Sequence, residues 1–389
     1  MHPKTKTIAR LDVIPIMSAT HGRRPFLGGV SLLLLLAVSC GAAAAVFPES
    51  TARAIGRVNQ HGPFLGVVVP NAFEMEPLLR SPRFSTAKSR LPPYLDVAGK
   101  RFRFGTIGEQ KVVIVMTGLG MLNSGVTTQL LLTLFDVKGI VHFGIAGNAD
   151  PDRQIGDVAV PRYWAHTGLW NWQRYGDGPE NELALESNGD YTRKLGNLNF
   201  TDYTVANKNG RPARSAGGGS NLLNAVWYQP EEVFPASSGT PESRGHAFWV
   251  PVDAHYYDLS RKLEGLELER CIVAAGNGTD TATTTRKRRT CLPRRPAVAR
   301  VERGCSASVF VDNAAYREFL RSRFRVTPVD METAAVALVA MQQGKPFIAV
   351  RALSDLAGGG AAGSNEAGVF APLAAQNAVT VAVELISLL

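Results

Sequence analysis

The chain reads as one α/β domain with long loop insertions. Three observations predict this. Strand runs of the fully buried type recur along the chain, helical patterns lie between them, and no further stretch carries a core of its own.

The strand runs are FLGVVV (64–69), KVVIVMTG (111–118), GIVHFGIAG (139–147) and FIAVRALSD (347–355). Each is apolar on both faces and closes on glycine or a polar residue, as strands do in a sheet covered on both sides. The helical patterns are MLNSGVTTQLLLTLF (121–135), METAAVALVAMQQ (331–343) and an amphipathic stretch over 371–388. Asp330 stands as an N-cap ahead of the second, and Gly344 lies just past its end.

Two segments interrupt the alternation. Residues 176–250 are polar, with GDGPENELALESNGDY and KNGRPARSAGGGSN, and read as loops or an insertion. Residues 274–304 read as a second insertion, with eight Lys and Arg between Arg286 and Arg303. Two readings of that basic stretch are open: a solvated loop, or a weak polyanion contact through 286–303.

The N-terminus falls outside the fold. Arg23 and Arg24 precede an apolar run that closes on small residues near Ala45, so 1–45 reads as a secretory signal peptide and the domain as 60–389. The alternative is a membrane anchor formed by 26–46. Secretion to an extracellular or vacuolar compartment leaves Cys271, Cys291 and Cys305 in an oxidising environment. An odd number suggests one bridge and one buried thiol, and Cys271–Cys291 closes the shorter loop. Asn199 and Asn277 open N-x-S/T triplets that fit a glycosylated surface.

The balance of 42 Lys and Arg against 33 Asp and Glu gives a net charge of +9. That favours polyanionic partners, but no zinc, helix-turn-helix or aromatic-plus-basic module accompanies it, so nucleic acid is not an expected partner. No metal-type spacing is present and no cofactor is expected.

Polar residues after each strand mark the candidate site, because ligands of open α/β sheets bind beyond the carboxyl ends of the strands. Glu74 and Glu76 follow the first strand, the Gly-rich turn TGLG (117–120) the second, AGNADPD the third, and Asp355 closes the fourth. Glu332 begins the helix at 331. Paired carboxylates around a cleft suit hydrolysis of a glycosidic bond, one activating water and the other protonating the leaving group. Taken singly, Glu332 also fits a helix start, Asp355 a turn and Glu76 a surface position.

VDMETAAVALVAMQQGKPFIAVRALSD resembles the signature of the nucleoside phosphorylase/nucleosidase superfamily, above all its methylthioadenosine/S-adenosylhomocysteine nucleosidase branch. HFGIAGNADPDRQIGDVAVP and NAFEMEPLL resemble two further elements of that family, and the resemblance covers most of 64–175 and 300–389. WNWQRYGDG, VWYQPEEVFP and HAFWVPVD look instead like the plant bark storage protein group. The resemblance implies a three-layer domain with a central mixed sheet between helices. It further implies Glu76 as the base that activates water, Glu332 beside Met331 as the ribose binder, and Asp355 steadied by Ser354 as the purine acid. Phe310 and Val311 correspond to the pair at the base, while Gly118 and Gly147 correspond to the turns on the ribose side.

A small nucleoside is the expected substrate. Water is favoured over phosphate as acceptor, because a carboxylate turn with no arginine before Arg80 repels phosphate. Ile145 and Asn148 depart from the family, which usually has a small or hydroxyl residue and a glycine there. Homo-oligomers are common among relatives and one is expected here. The competing readings are a reserve protein with little or no catalysis and a phosphate-dependent nucleoside phosphorylase.

Overall fold

Leu65, Val67, Val68 and Val69 are wholly buried in one short strand, so both of its faces must be covered. The computed structural model shows how. It describes residues 47–88, 90–172, 197–199, 225–234, 245–274, 288–358 and 366–389. The leader and anchor readings of 1–46, Asn277 and most of the 176–250 insertion lie outside these residues.

Residues Thr51–Leu389 form one compact unit. In chain order its elements begin α1 (Glu49–Asn59), β1 (Phe64–Val69), α2 (Ala72–Leu79), β2 (Phe84–Thr86), β3 (Tyr94–Val97), β4 (Lys100–Ile107), β5 (Gln110–Met116), α3 (Met121–Leu134), β6 (Val137–Asn148) and β7 (Val158–His166). Short strands β8 (Trp170–Trp172), β9 (Asn197–Asn199), β10 (Ala225–Tyr228), β11 (Glu231–Val233), β12 (Gly245–Ala247) and β13 (Val250–Pro251) follow, then α4 (Ala254–Leu259), β14 (Cys271–Ala274) and β15 (Arg288–Cys291). The chain closes with β16 (Val298–Ser306), α5 (Ala314–Phe324), β17 (Val326–Asp330), α6 (Thr333–Gln342), β18 (Phe347–Leu356) and α7 (Glu366–Leu388).

The fold is the expected mixed α/β type. One large sheet runs β13-β7-β16-β17-β6-β1-β5-β4-β2, with β18 pairing β6 and β7 and β3 pairing β4. β1 is parallel to β5 and β6, and β18 is parallel to β6, whereas β17 runs antiparallel to β6. β17 and β18 therefore flank the end of β6, where Gly147 stands opposite Val329 in one ladder and Asp355 in the other. Helix α7 is long and apolar enough to cross a membrane, but 61% of its apolar window is buried, and it packs on β18, β6 and α2. Asp330 caps α6 through its side chain, accepting from Glu332 N and Thr333 N at 3.1 Å each, and Gly344 takes a φ of +61° past the helix end.

The insertion expected over 274–304 ends earlier. Val298–Ser306 is a strand of the main sheet, paired in parallel with β7. Its arginines hid it: Arg300 lies 4.0 Å over the Tyr257 ring and Arg303 4.6 Å over the Trp249 ring, so their stems and planes cover apolar surface. Arg294 and Arg295 pair with Asp157 and Glu267, at 3.5 and 2.7 Å. These four arginines of the basic stretch are thus engaged within the chain. Cys271 and Cys291 face each other across β14 and β15 and are joined as a disulfide, and Cys305 is a buried thiol.

Candidate active site

The sheet places one positive charge in its interior. Arg351, on β18, is fully buried and looks onto three carboxylates. Its Nε lies 2.7 Å from Asp330 Oδ2, its Nη2 3.7 Å from Glu332 Oε2 and its Nη1 3.9 Å from Glu74 Oε1. It also donates to Thr333 Oγ1 at 2.9 Å and to Ile145 O at 3.3 Å. A buried guanidinium is tolerated only with such partners, and its planar fork suits several at once.

His142, on β6, completes this arrangement. Its Nδ1 stands 2.9 Å from Val68 O, which can only accept, so Nδ1 carries the proton. Nε2 is then an acceptor and takes a hydrogen bond from Arg351 Nη2. Burial holds the imidazole pKa well below its ordinary value, and the neighbouring Arg351 charge adds to this, while the Val68 carbonyl works the other way. His142 is thus a neutral, single-tautomer support for Arg351.

Glu74 enters from α2. Asn71 caps that helix by accepting from Glu74 N at 3.1 Å, and Glu74, Met75 and Leu78 form its buried face. Glu74 Oε1 accepts from Ile145 N at 2.7 Å. Oε2 is buried with no hydrogen-bond partner among the described residues. Burial pushes its pKa from 4.5 up to about 7, against the pull of Arg351 and the Ile145 amide. Gly144 makes the approach feasible, since a Cβ there would meet Arg351 Nη1 at 2.2 Å and Glu74 Oε1 at 2.4 Å.

Glu76, the expected base, is elsewhere. Two residues along a helix turn the side chain by roughly 200°, so Glu76 points to the solvent side of α2. Its side chain is 57% exposed and pairs with Arg80 one turn on. Glu74 occupies the inward position that the resemblance assigned to Glu76.

Glu332 sits at the start of α6 with its side chain 5% exposed. Its Oε1 accepts from Gly120 N at 3.0 Å, which ties it to the Gly-rich turn. Gly118 and Gly120 take φ of +85° and +94° there, a region open to glycine without strain. Burial raises the Glu332 pKa, and nearby Asp330 adds to the rise, whereas Arg351 and the Gly120 amide oppose it. Met331 beside it is partly buried.

At the end of β18, Ser354 Oγ lies 2.6 Å from Asp355 Oδ1, to which it donates, and 3.2 Å from Ala146 O. Asp355 is opposite Gly147 in the ladder with β6. Val311 is buried and Phe310 is 67% exposed, in the loop that follows β16. Ser308 of that loop accepts from Met121 N at 3.2 Å, so the loop meets the Gly-rich turn. The structure gathers Glu74, Asp330, Glu332 and Arg351 in one cluster, sets Gly118 in the turn that contacts it, and places Ser354, Asp355 and Gly147 at the adjoining strand ends. It leaves Glu76 out.

Sequence reasoning passed over Arg351 and His142. Each carried a signal: a lone Arg in FIAVRALSD and a lone His in GIVHFGIAG are polar residues in otherwise apolar buried strands, and burial of that kind demands partners.

Comparison with known proteins places these features in context. Residues 64–217 and 244–387 match the family model described as the phosphorylase superfamily. Bark storage protein A of Populus deltoides is 29% identical over 266 residues, which span 68% of this chain and 71% of that protein. A 5'-methylthioadenosine/S-adenosylhomocysteine nucleosidase of Geobacillus kaustophilus (strain HTA426) is 22% identical over 263 residues, 67% of this chain and 74% of that protein. Among solved structures, the nucleosidase of the same name from Helicobacter pylori aligns over 84% of this chain and 98% of its own, with a TM-score of 0.52 at 17% identity. Futalosine hydrolase from Helicobacter pylori aligns over 83% and 96%, with a TM-score of 0.50 at 17% identity. At such identities the solved structures share the fold.

Proposed function

The chain belongs to the phosphorylase superfamily, and on that premise we propose that it cleaves the N-ribosidic bond of a purine nucleoside with water. One observation carries this reading: the inward carboxylate of Glu74 has a pKa near neutrality and a buried, unpartnered oxygen. A general base works best when its pKa lies near the working pH and one oxygen is left to accept a proton.

In this reading Glu74 takes the proton from the attacking water. Arg351, held by His142 and Asp330, keeps Glu74 in place and steadies its ionised form. Bond breaking builds positive charge on the sugar, which the carboxylates Glu74 and Glu332 stabilise, and Glu332 binds the ribose hydroxyls. Asp355, positioned by Ser354, donates toward the departing purine, and Phe310 and Val311 face the base. The cluster sets three carboxylates against one guanidinium, which disfavours phosphate as acceptor.

Two further features belong to the proposal. The Cys271–Cys291 disulfide supports an oxidising, secretory destination. Leu122 and Val126 on α3 are 79% and 51% exposed, and with Phe310 they support burial in a homo-oligomer.

The second reading is a reserve protein, favoured by the likeness to bark storage protein A. One experiment separates them. The protein is incubated with methylthioadenosine, adenosine and inosine, with and without phosphate, beside Glu74→Gln. Base release without phosphate that Glu74→Gln abolishes supports the hydrolase. Release only with phosphate overturns the choice of water, and no release from any substrate by either protein favours the reserve reading.

A further inference from the structure

A cavity of about 580 Å³ opens beside the carboxyl ends of β6 and β18, walled by Ala149, Leu356, Arg153 and Arg317. None of Glu74, Glu332 or Asp355 lines it. Its size falls in the range of small-molecule sites, about 300–1,000 Å³, and much of its wall is apolar.

Three arginines border it, and they are not equivalent. Arg321 is committed to structure: its Nη2 lies 2.8 Å from Asp150 Oδ1, and its Nη1 donates to Val326 O at 3.2 Å. Arg317 donates one Nη1–H bond to Gly358 O at 2.9 Å, and its nearest carboxylate, on the exposed Glu318, is 3.9 Å away. Arg153 has a buried Nε with no hydrogen-bond partner among the described residues. A donor removed from water with no acceptor is costly and rare. Asp150, the buried carboxylate at this cavity, is already taken up by Arg321 and by Thr327 Oγ1 at 3.0 Å. The lining thus sets three arginines, Arg153, Arg317 and Arg321, against two carboxylates, Asp150 and Glu318, and the excess positive charge lies at Arg153 and Arg317, next to an apolar wall.

We infer that this cavity binds an amphiphilic organic acid, its carboxylate on Arg153 and Arg317 and its hydrocarbon body against Ala149 and Leu356. An arginine fork matches a carboxylate in geometry as well as charge. A bare inorganic anion would leave the apolar part of the cavity unfilled.

The test is calorimetric titration of the full-length, disulfide-bonded protein with octanoate, octanol and inorganic phosphate. Octanoate is expected to bind one to one, with octanol and phosphate at least tenfold weaker. Arg153→Met and Arg317→Met should each weaken octanoate at least tenfold, and Arg153→Lys, which keeps charge without the fork, by less. Ser322→Glu, on the exposed side of the cavity, should weaken it severalfold without disturbing the fold, which thermal melting checks. Equal affinity for octanoate in wild type and in a folded Ser322→Glu or Arg153→Lys protein overturns the inference. So does absence of octanoate binding, or phosphate binding as tightly as octanoate.

Discussion

Glu74 Oε1 and Arg351 Nη1 stand 3.9 Å apart, both buried, and the second oxygen of Glu74 has no hydrogen-bond partner among the described residues. The separation is too long for a hydrogen bond and short enough for strong attraction in a dry interior. Arg351 thus favours the ionised form of Glu74 without occupying its second oxygen, as the proposed role of base requires.

The two glutamates of α2 should separate cleanly in kinetics. Glu74→Gln is expected to lower kcat for base release by about 10²–10⁴-fold, the usual contribution of a positioned base. Glu76→Gln, on the exposed side of the helix, should stay within about twofold of wild type. Steady-state assays on both variants decide the assignment, and the reverse ranking would restore Glu76.

The raised pKa of Glu74 predicts how activity and stability move against each other. Activity should rise with pH through about 7 as the base ionises. Stability moves the opposite way. A carboxyl whose folded pKa exceeds its unfolded value contributes stability below the unfolded pKa, near 4.5, and loses it as pH rises through the folded value, about 7. Glu74→Gln should therefore gain stability over wild type at pH 8 compared with pH 4.5, by up to about 3 kcal/mol from the size of the shift. Urea unfolding at the two pH values measures it, and an unchanged difference contradicts the burial argument.

His142 should govern the acid side. A histidine whose folded pKa is depressed contributes stability above its unfolded pKa, near 6.5, and loses it as pH falls. His142→Gln removes that titration and keeps an amide acceptor for Arg351. Its unfolding free energy should fall less steeply than wild type below pH 6, as read from urea titrations across that range.

Removing Arg351 leaves three buried carboxylates without their cation. Arg351→Met is expected to cost about 3–5 kcal/mol, as for a broken buried ion pair. Urea unfolding at pH 7 should show the loss, and partial recovery in the double variant with Glu74→Gln would show that the two residues are coupled.

Gly144→Ala tests the close approach. The added Cβ would fall within 2.4 Å of both the Arg351 and the Glu74 side-chain atoms, so one of them must move. Base release should drop at least tenfold, while a control at the open position Gly265→Ala leaves it unchanged.

What the sequence determined by itself was the scaffold and the residues at the rim of the candidate site. β1, β6 and β18 were legible because strands buried on both faces need unbroken apolar runs. Asp355 was legible because charge at the end of such a run marks the carboxyl edge of a sheet, and Glu332 because it opens an apolar helix. Val298–Ser306 was not, because its arginines cover aromatic rings and so read as solvated. The choice between Glu74 and Glu76 could not be made from NAFEMEPLL alone: it depends on which face of one short helix turns inward. Arg351 and His142 lie in separate strands, and only the parallel pairing of β6 with β18 brings them together. Residue types are local, but burial, charge pairing and the pKa of Glu74 arise from neighbours distant in the chain, and the tertiary structure alone supplies those.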